Sequence, residues 1–357
     1  MPDSSRSLTA TGFSLKLTAR CTRKSTLQLI GFLTWGANRY KKSMPRLLDE
    51  KRVRLTAFHW LADQVKQHGE ILPRPLLLRG FEMDGERIPL MSRQGIFKPR
   101  VLDEIPISIT TTVHGPYNDQ MSPEGLMLYS YRGTDPSHPE NAGLRKAMFQ
   151  QTPLVYFHGI MPSKYIPVWP VFIVGDNPQN LMFSVAVDDQ NYIESYAQAG
   201  SSQSAAGEQK DIGRRQCITA IVTQRLHQRG FRERVLDAYQ QRCSLCRLRH
   251  SELLDAAHII PDNEPGGEPV ISNGIALCKL HHAAFDNFFL GIRPDYIVEV
   301  HKSILDEEDG PMLTHGLKGL HGSRIMLPRS SKMFPSQERL DIRYGRFLSE
   351  GRVLLGH

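Results

Sequence analysis

Four potential metal ligands at regular spacing are the strongest constraint on how this chain folds. Cys243 and Cys246 form a C-x2-C pair, and Cys278 and His281 form a second pair with the same internal spacing. Side chains that bind one zinc ion must converge to within ~2.0–2.3 Å of it, so the two turns have to meet. The spacing therefore predicts a tetrahedral structural zinc site of three thiolates and one imidazole.

The number and position of the cysteines favour metal binding over disulfide formation. The chain has five cysteines, and three of them lie in this one segment beside histidines. An odd number, without a recognisable secretory signal, indicates a reducing compartment. We therefore expect a cytoplasmic protein. No apolar run reaches the ~18 residues that cross a bilayer, so we expect no membrane association.

Length and charge set the broad class of the protein. The chain has 357 residues, 40% of them hydrophobic, and a formal net charge of +7. This is a globular composition with room for two modest domains, and the positive charge favours a polyanionic partner. We interpret the chain as a basic extension at 1–43, a first domain at 44–195, a linker at 196–214 and a second domain at 215–357.

The extension at 1–43 has three interpretations that the sequence leaves open. It carries eight Lys and Arg residues against the single acid Asp3. It is a transit-like peptide, a disordered basic arm, or the product of a start codon assigned too early, because Met44 directly precedes a good helical pattern. None of these assigns a function to the segment.

Apolar periodicity predicts an α+β protein. Helical spacing is found at Leu47–Gln67, Asn141–Gln150 and Arg215–Gln241, and the small polar stretch Ala197–Lys210 is typical of a flexible linker. Short apolar runs between the first and last helices predict strands at Ile105–Thr112, Leu126–Tyr131, Leu154–His158, Val168–Val174 and Leu181–Val187. Many short strands around one helix predict a β-rich barrel or a curled sheet.

A second pattern overlaps the cysteine pairs. The string AAHIIP, which contains His258, and the later string SNGIALCKLHHAAFDN resemble the HNH (ββα-metal) endonuclease family. In that family a β-hairpin carries the first histidine, a loop carries the asparagine and a helix carries the last histidine. The resemblance implies metal-dependent cleavage of DNA by a zinc-containing ββα-metal domain.

The resemblance also implies a role for each residue. Phosphodiester hydrolysis needs an activated water and a cation beside the developing charge, and a neutral imidazole can accept the proton at physiological pH. His258 matches the general base, and His282 matches the histidine that holds Mg²⁺, Mn²⁺ or another divalent ion. Asn273 matches the position whose amide orients the His258 loop or touches the metal. The neighbouring His281 is then a zinc ligand.

The chain departs from the family pattern beside the general base. Many relatives have an Asp or His metal ligand directly before the base, where this chain has Ala257. Asp255 lies two positions earlier, and Asp286 lies four residues after His282, on the same helical face. Either carboxylate would complete the site for the catalytic ion.

The first domain resembles a different family. The run from HGPYNDQ to LVYFHG, followed by WPVFIVGD, is similar to the SRA domain, which recognises modified cytosine by base flipping. The resemblance implies an SRA/PUA-like barrel in which a flipped base is sandwiched by aromatic rings and bound along its polar edge. Tyr117 and Tyr131 would supply the rings, Asp119 would accept from the cytosine amino group, and Arg132 and His158 would contact phosphate.

The two resemblances together indicate an McrA-like, modification-dependent restriction endonuclease. Its partner would be double-stranded DNA carrying methylcytosine or hydroxymethylcytosine, and a homodimer would allow both strands to be cut. One alternative is an HNH restriction endonuclease that recognises unmodified sequence. Another is a non-catalytic, zinc-containing nucleic-acid-binding protein.

Overall fold

The computed structural model describes residues 47–112, 120–198, 208–308 and 310–353. The extension at 1–43, the base-binding candidates Tyr117 and Asp119, and residues 199–207 of the interpreted linker lie outside the described residues. The described residues belong to one compact unit. Among the described helices, none combines the length and the apolar character needed to cross a membrane.

The described elements form a mixed α+β structure, as expected. The helices are α1 (Glu50–His68), α2 (Arg74–Arg79), α3 (Pro139–Phe149), α4 (Asn191–Gln198), α5 (Glu208–Ala238), α6 (Lys279–Asp286), α7 (Lys302–Asp306), α8 (Pro311–Gly316) and α9 (Gln337–Val353). The strands are β1 (Leu72–Pro73), β2 (Phe81–Met83), β3 (Glu86–Ile88), β4 (Ile96–Phe97), β5 (Ser108–Thr110), β6 (Gln120–Met121), β7 (Met127–Ser130), β8 (Leu154–Met161), β9 (Lys164–Asn177), β10 (Met182–Val187), β11 (Leu254–His258), β12 (Gly274–Cys278), β13 (Leu290–Ile292) and β14 (Val298–Val300).

Local sequence signals explain where α1 begins and ends. Asp49 caps its N-terminus, since the carboxylate accepts a hydrogen bond from the Lys51 amide at 3.0 Å. Gly69 ends the helix with a φ of 80°, a conformation that glycine adopts without a steric cost. The predicted helix at Leu47–Gln67 is therefore confirmed within three residues at either end.

The β-rich region is an open, curled sheet in which the strands follow the order β4-β5-β8-β9-β10-β7-β6, with β1 added beside β9. Neighbouring strands are antiparallel except β5 and β8, which pair in parallel. The two end strands, β4 and β6, are not paired with each other among the described residues. The prediction of a curled sheet is confirmed, whereas the described strands do not close the SRA-like barrel.

The central strands are buried on both faces because helices cover each side. Along β8, Leu154 and Tyr156 belong to one hydrophobic core, while Val155 and Phe157 belong to another. This alternation is the two-residue period of a strand. Helix α1 fills the second core, and α3 together with part of α5 fills the first.

Helix α5 connects the β-rich region to the C-terminal region without a break. It begins at Glu208, inside the segment that we interpreted as a linker, and at ~1.5 Å per residue its 31 residues extend about 46 Å. Leu226 packs in the core of the sheet, whereas Phe231 and Val235 pack in the core of the C-terminal region. One helix is therefore shared by two hydrophobic cores.

The C-terminal region is built on a ββα unit. Strands β11 and β12 form an antiparallel hairpin, and α6 follows β12 directly. A second antiparallel hairpin of β13 and β14 comes next. The C-terminal helix α9 packs on β13, where Phe347 lies against Gly291.

Candidate active site and metal centre

His258 is the last residue of β11 and lies opposite Gly274 at the start of β12. Helix α5 approaches the hairpin so closely here that a Cβ at position 274 would fall 2.4 Å from Val235 Cγ2 and 2.8 Å from Phe231 Cζ. Glycine is required at this position because any side chain would push α5 away. The His258 imidazole stacks on the Phe231 ring with centroids 4.0 Å apart and planes 18° apart.

The surroundings of His258 favour a neutral imidazole. Its Nε2 atom is buried and has no hydrogen-bond partner among the described residues. Burial lowers the pKa of His258 below its ordinary value, the carboxylates of Asp262 and Asp286 partly oppose this, and the His282 charge reinforces it. A neutral ring of this kind is suited to accept a proton near pH 7.

Asn273 fastens the segment that follows His258. Its side chain is fully buried, and its Oδ1 accepts a hydrogen bond from the Ile260 amide at 2.9 Å. Its Nδ2 donates to the carbonyls of Ile260 at 2.9 Å and Glu268 at 3.2 Å. With every polar atom of the amide used in this way, the geometry corresponds to the first expected role, orientation of the His258 loop, rather than contact with a metal.

His282 lies on α6 between two carboxylates, which are the two alternatives that the sequence left open. Its Nδ1 is 3.6 Å from Asp255 Oδ2, and its Nε2 is 3.2 Å from Asp286 Oδ2. Hydrogen bonding to Asp255 and Asp286 raises the pKa of His282 to about 9. The same contact with His282, together with Lys279 at 2.8 Å, lowers the pKa of Asp255.

The structure brings the four predicted zinc ligands together. One ligand atom from each of Cys243, Cys246, Cys278 and His281 lies within 4.8 Å of the other three. The Cys246 and Cys278 sulfurs are 3.9 Å apart, and His281 Nδ1 is 3.4 Å from Cys243 Sγ and 3.2 Å from Cys278 Sγ. Tetrahedral zinc with ~2.3 Å sulfur and ~2.0 Å nitrogen bonds places such atoms about 3.5–3.8 Å apart, so the donor set fits a zinc ion.

The orientation of His281 adds to this fit. Its Nε2 lies 2.7 Å from the carbonyl oxygen of Gly316, at the end of α8. A ring that donates from Nε2 presents an unprotonated Nδ1 toward the sulfurs, which is the usual arrangement of a metal-bound histidine. The Cys243 thiol and the His281 ring also lower the pKa of the Cys278 thiol, which favours the thiolate that metals bind.

Comparison with known proteins identifies this region. Residues 243–293 match the family described as HNH endonuclease. This segment is an HNH endonuclease domain. The chain is therefore a DNA-cleaving hydrolase, and the predicted enzyme class is confirmed. No curated protein matches the chain significantly.

Two solved structures show a remote similarity to the chain. One, described as a modification dependent TagI restriction endonuclease, is 17% identical over 68% of this chain and 82% of that chain, with a TM-score of 0.23. The other is described as the type IV phosphorothioation-dependent restriction endonuclease ScoMcrA. It is 15% identical over 72% of this chain and 59% of that chain, with a TM-score of 0.19. TM-scores this low indicate that the chain superposes on neither over its length.

The described candidates for base binding are not arranged as expected. The Tyr131 ring is 1% exposed and stacks on Phe183 with centroids 4.5 Å apart. Its hydroxyl donates to Asp176 and lies 3.3 Å from Arg145 Nη2. A ring packed in this way is a core residue and presents no free face to a base, so the predicted stacking role of Tyr131 is corrected.

The two phosphate-binding candidates differ from each other. His158 is 6% exposed, and its Nδ1 is hydrogen-bonded to the Tyr156 hydroxyl at 3.1 Å, so it is not placed to contact a phosphate. Arg132 is exposed, and its Nε lies 3.7 Å from Glu140 Oε2. Arg132 therefore remains available to DNA, whereas the expectation for His158 is not met.

The sequence interpretation missed two residues that position the site. Phe231 stacks on His258 from α5, and Arg343 of α9 donates to the Phe285 carbonyl at 2.8 Å and lies 3.6 Å from Asp286 Oδ1. Arg343 is also sandwiched near the rings of Phe285 and Phe288. Both contacts come from helices distant in sequence, so local spacing held no signal for them.

Proposed function

We propose that this protein is a divalent-metal-dependent DNA endonuclease in which His258 is the general base and His282 holds the catalytic ion. The observation that carries the proposal is the environment of His258, a stacked imidazole with a lowered pKa at the end of the ββα hairpin. Stacking on Phe231 holds the ring without using Nε2.

We propose His282 and Asp286 as the protein ligands of the catalytic ion, with Asp255 orienting the ring. Asp255 is already engaged by Lys279 and by Arg232 at 3.7 Å, and it faces Nδ1. A carboxylate on one ring nitrogen and a metal on the other is a common arrangement around metal-bound histidine. A divalent ion there supplies positive charge for the phosphate oxygens.

We propose further that the cysteine cluster binds structural zinc. The domain that would depend on this zinc is small, and much of its core surrounds the cluster, including Leu245, Leu254 and Ala284. The proposed boundaries are 215–357 for the nuclease domain and 44–195 for DNA recognition. A single site cuts one strand at a time, so a homodimer is proposed for double-strand cleavage.

The first test compares two histidine variants in plasmid nicking. His258→Ala should reduce the rate by ~10²–10⁴-fold, the usual contribution of a positioned base, while DNA binding is retained. His250→Ala is the control, because His250 is exposed and its side chain makes no capping hydrogen bond. A His258→Ala protein that nicks as fast as the control would refute the assignment of the base.

A second test separates the two carboxylates. Asp286→Asn should raise the Mn²⁺ or Mg²⁺ concentration needed for half-maximal nicking more than Asp255→Asn does, because only the first removes a ligand. Asp255→Asn should act mainly on the maximal rate, through loss of ring orientation. The reverse pattern would exchange the roles of the two residues.

We propose a role in restriction, with the β-rich region selecting DNA that carries modified cytosine. The exposed Arg132 and the direct connection of the sheet to the nuclease through α5 support a recognition role. A second candidate is recognition of unmodified sequence, favoured by the burial of Tyr131. Cleavage of matched plasmids with cytosine, methylcytosine or hydroxymethylcytosine distinguishes the two, because only the first function makes cutting depend on the modification.

A further inference from the structure

A cleft of about 880 Å³ runs along α5 and reaches the nuclease centre. One wall comes from β9, including Pro167 and Trp169, and the far end is formed by His258 and Asp262. The cleft therefore connects the surface of the β-rich region with the proposed general base. Most of this surface lies on α5 and β9, outside the family match at 243–293, which contributes only the end beside His258.

Three arginines of α5 line this cleft. Arg225, Arg229 and Arg232 are four and three residues apart, a spacing that places side chains on one face of a helix. At ~1.5 Å per residue they cover about 10 Å of the helix axis. One DNA strand carries a phosphate every ~3.4 Å of its axis, so this length corresponds to about three phosphates.

The acidic residues beside these arginines are mostly neutralised. The Asp188 carboxylate is held by Arg215 at 2.7 Å and by Arg214 at 2.7 Å. Asp255 is paired with Lys279 at the other end. Of the other lining acids, Glu70 pairs with Arg229, and Asp262 has no ion pair among the described residues. Since Asp188 and Asp255 are already compensated by Arg214, Arg215 and Lys279, the three arginines leave the cleft with an excess of positive charge, which attracts an anion.

The three arginines are available to different degrees. Arg225 is exposed and has no ion-pair partner among the described residues. Arg229 pairs at 3.0 Å with Glu70, and both side chains are exposed at 44% and 60%, so a phosphate can compete with this weak pair. Arg232 instead donates to the carbonyls of Ser251 and Leu254, and so joins the row to the hairpin that carries His258.

We propose that this cleft is the path of the DNA sugar-phosphate backbone, with Arg225 and Arg229 binding phosphates next to those at the nuclease centre. The inference rests on the proposed function, since it names the surface by which the same site holds its substrate. The cations lie on a rigid helix that is shared by both cores. Binding along it therefore fixes the distance between the β-rich region and the cleaved bond.

The test uses the salt dependence of DNA binding. Each phosphate contact contributes about 0.9 to the slope of log K against log salt concentration. In a His258→Ala background, which prevents cleavage, Arg225→Gln/Arg229→Gln should reduce this slope by about 2 for a fluorescent duplex, with or without methylcytosine. Arg232 is left intact because it holds backbone carbonyls.

A matched control removes the same charge elsewhere. Arg52 and Arg87 are exposed, each pairs with an acid as Arg229 does, and neither lines the cleft. Arg52→Gln/Arg87→Gln should leave the slope within experimental error of the parent. If the cleft double variant and the control double variant have the same slope, the proposed path is wrong.

The outcomes distinguish this inference from the nuclease proposal. If the wild-type protein cleaves DNA and His258→Ala does not, the nuclease assignment holds whatever the salt dependence of the arginine variants shows. If the cleft variant binds with an unchanged slope in that case, only the path is wrong. A wild-type protein that neither binds nor cleaves DNA would overturn both the nuclease proposal and the proposed DNA path.

Discussion

The nuclease hairpin and the β-rich sheet differ in how well the positions of their side chains could be predicted from the sequence. In the hairpin, Cys243 and His281 lie 38 positions apart and meet as expected, with His281 Nδ1 3.4 Å from the Cys243 sulfur. In the sheet, Tyr131 lies in the expected strand region but faces the core. Metal ligands must converge on one ion, so their pattern encodes a contact. An aromatic residue in a strand serves a core equally well.

The first prediction tests the metal side of this comparison and has the largest expected effect. Cys278→Ser should remove a zinc ligand and destabilise the HNH domain by several kcal/mol or more, because structural zinc contributes directly to folding. Thermal unfolding and metal content measure the effect. Cys217→Ser is the control, since Cys217 is an exposed free cysteine of α5. A Cys278→Ser protein as stable and zinc-loaded as this control would contradict the zinc site.

Asn273 tests whether the hairpin depends on buried polar contacts. Asn273→Ala removes three hydrogen bonds and leaves the amide and the carbonyl of Ile260 unsatisfied, whereas the Glu268 carbonyl keeps its bond from the Val270 amide. At ~1–3 kcal/mol for each unsatisfied buried group, we expect a loss of about 3–5 kcal/mol in the free energy of unfolding. Denaturant titration measures it. Asn287→Ala, at an exposed position with one hydrogen bond, should cost less than about 1 kcal/mol.

Tyr131 tests the sheet side of the comparison. Tyr131→Phe keeps the ring on Phe183 but removes the hydroxyl from Asp176 and Arg145, so we expect a loss of about 1–2 kcal/mol in stability. Preference for modified DNA should be unchanged. Arg132→Gln should instead weaken DNA binding and leave stability unaltered. If Tyr131→Phe abolished the preference at unchanged stability, the tyrosine would be a base contact after all.

The smallest expected effect is a shift in pH dependence. Burial lowers the pKa of His258 below 6.5, so its neutral form persists to lower pH than an exposed histidine, and activity is lost only as pH falls through that lowered value. The acidic limb of the nicking rate at saturating metal should therefore lie below pH 6.5. Phe231→Ala exposes the ring and should move the limb upward. A limb above 6.5 in the parent would contradict a buried neutral base.

Much of the secondary structure followed from local pattern. The long helix α1 has its cap and its terminal glycine in the sequence, and the strands at Leu154–Met161 and Met182–Val187 match the predicted apolar runs closely. Whether the sheet closes into a barrel could not be predicted, because closure depends on long-range pairing of the end strands. The start of α5 at Glu208 was also missed, since small polar residues are typical of both linkers and exposed helix ends.

The amino-acid sequence by itself determined the HNH domain, since ligand chemistry at short spacing in one ββα unit leaves little freedom in how those residues meet. It did not determine what surrounds them. Only the tertiary structure placed Phe231 on His258, set Asp255 and Asp286 on opposite sides of His282, and buried Tyr131. These contacts join elements far apart in the chain, and they depend on how α5 and α6 pack rather than on local periodicity.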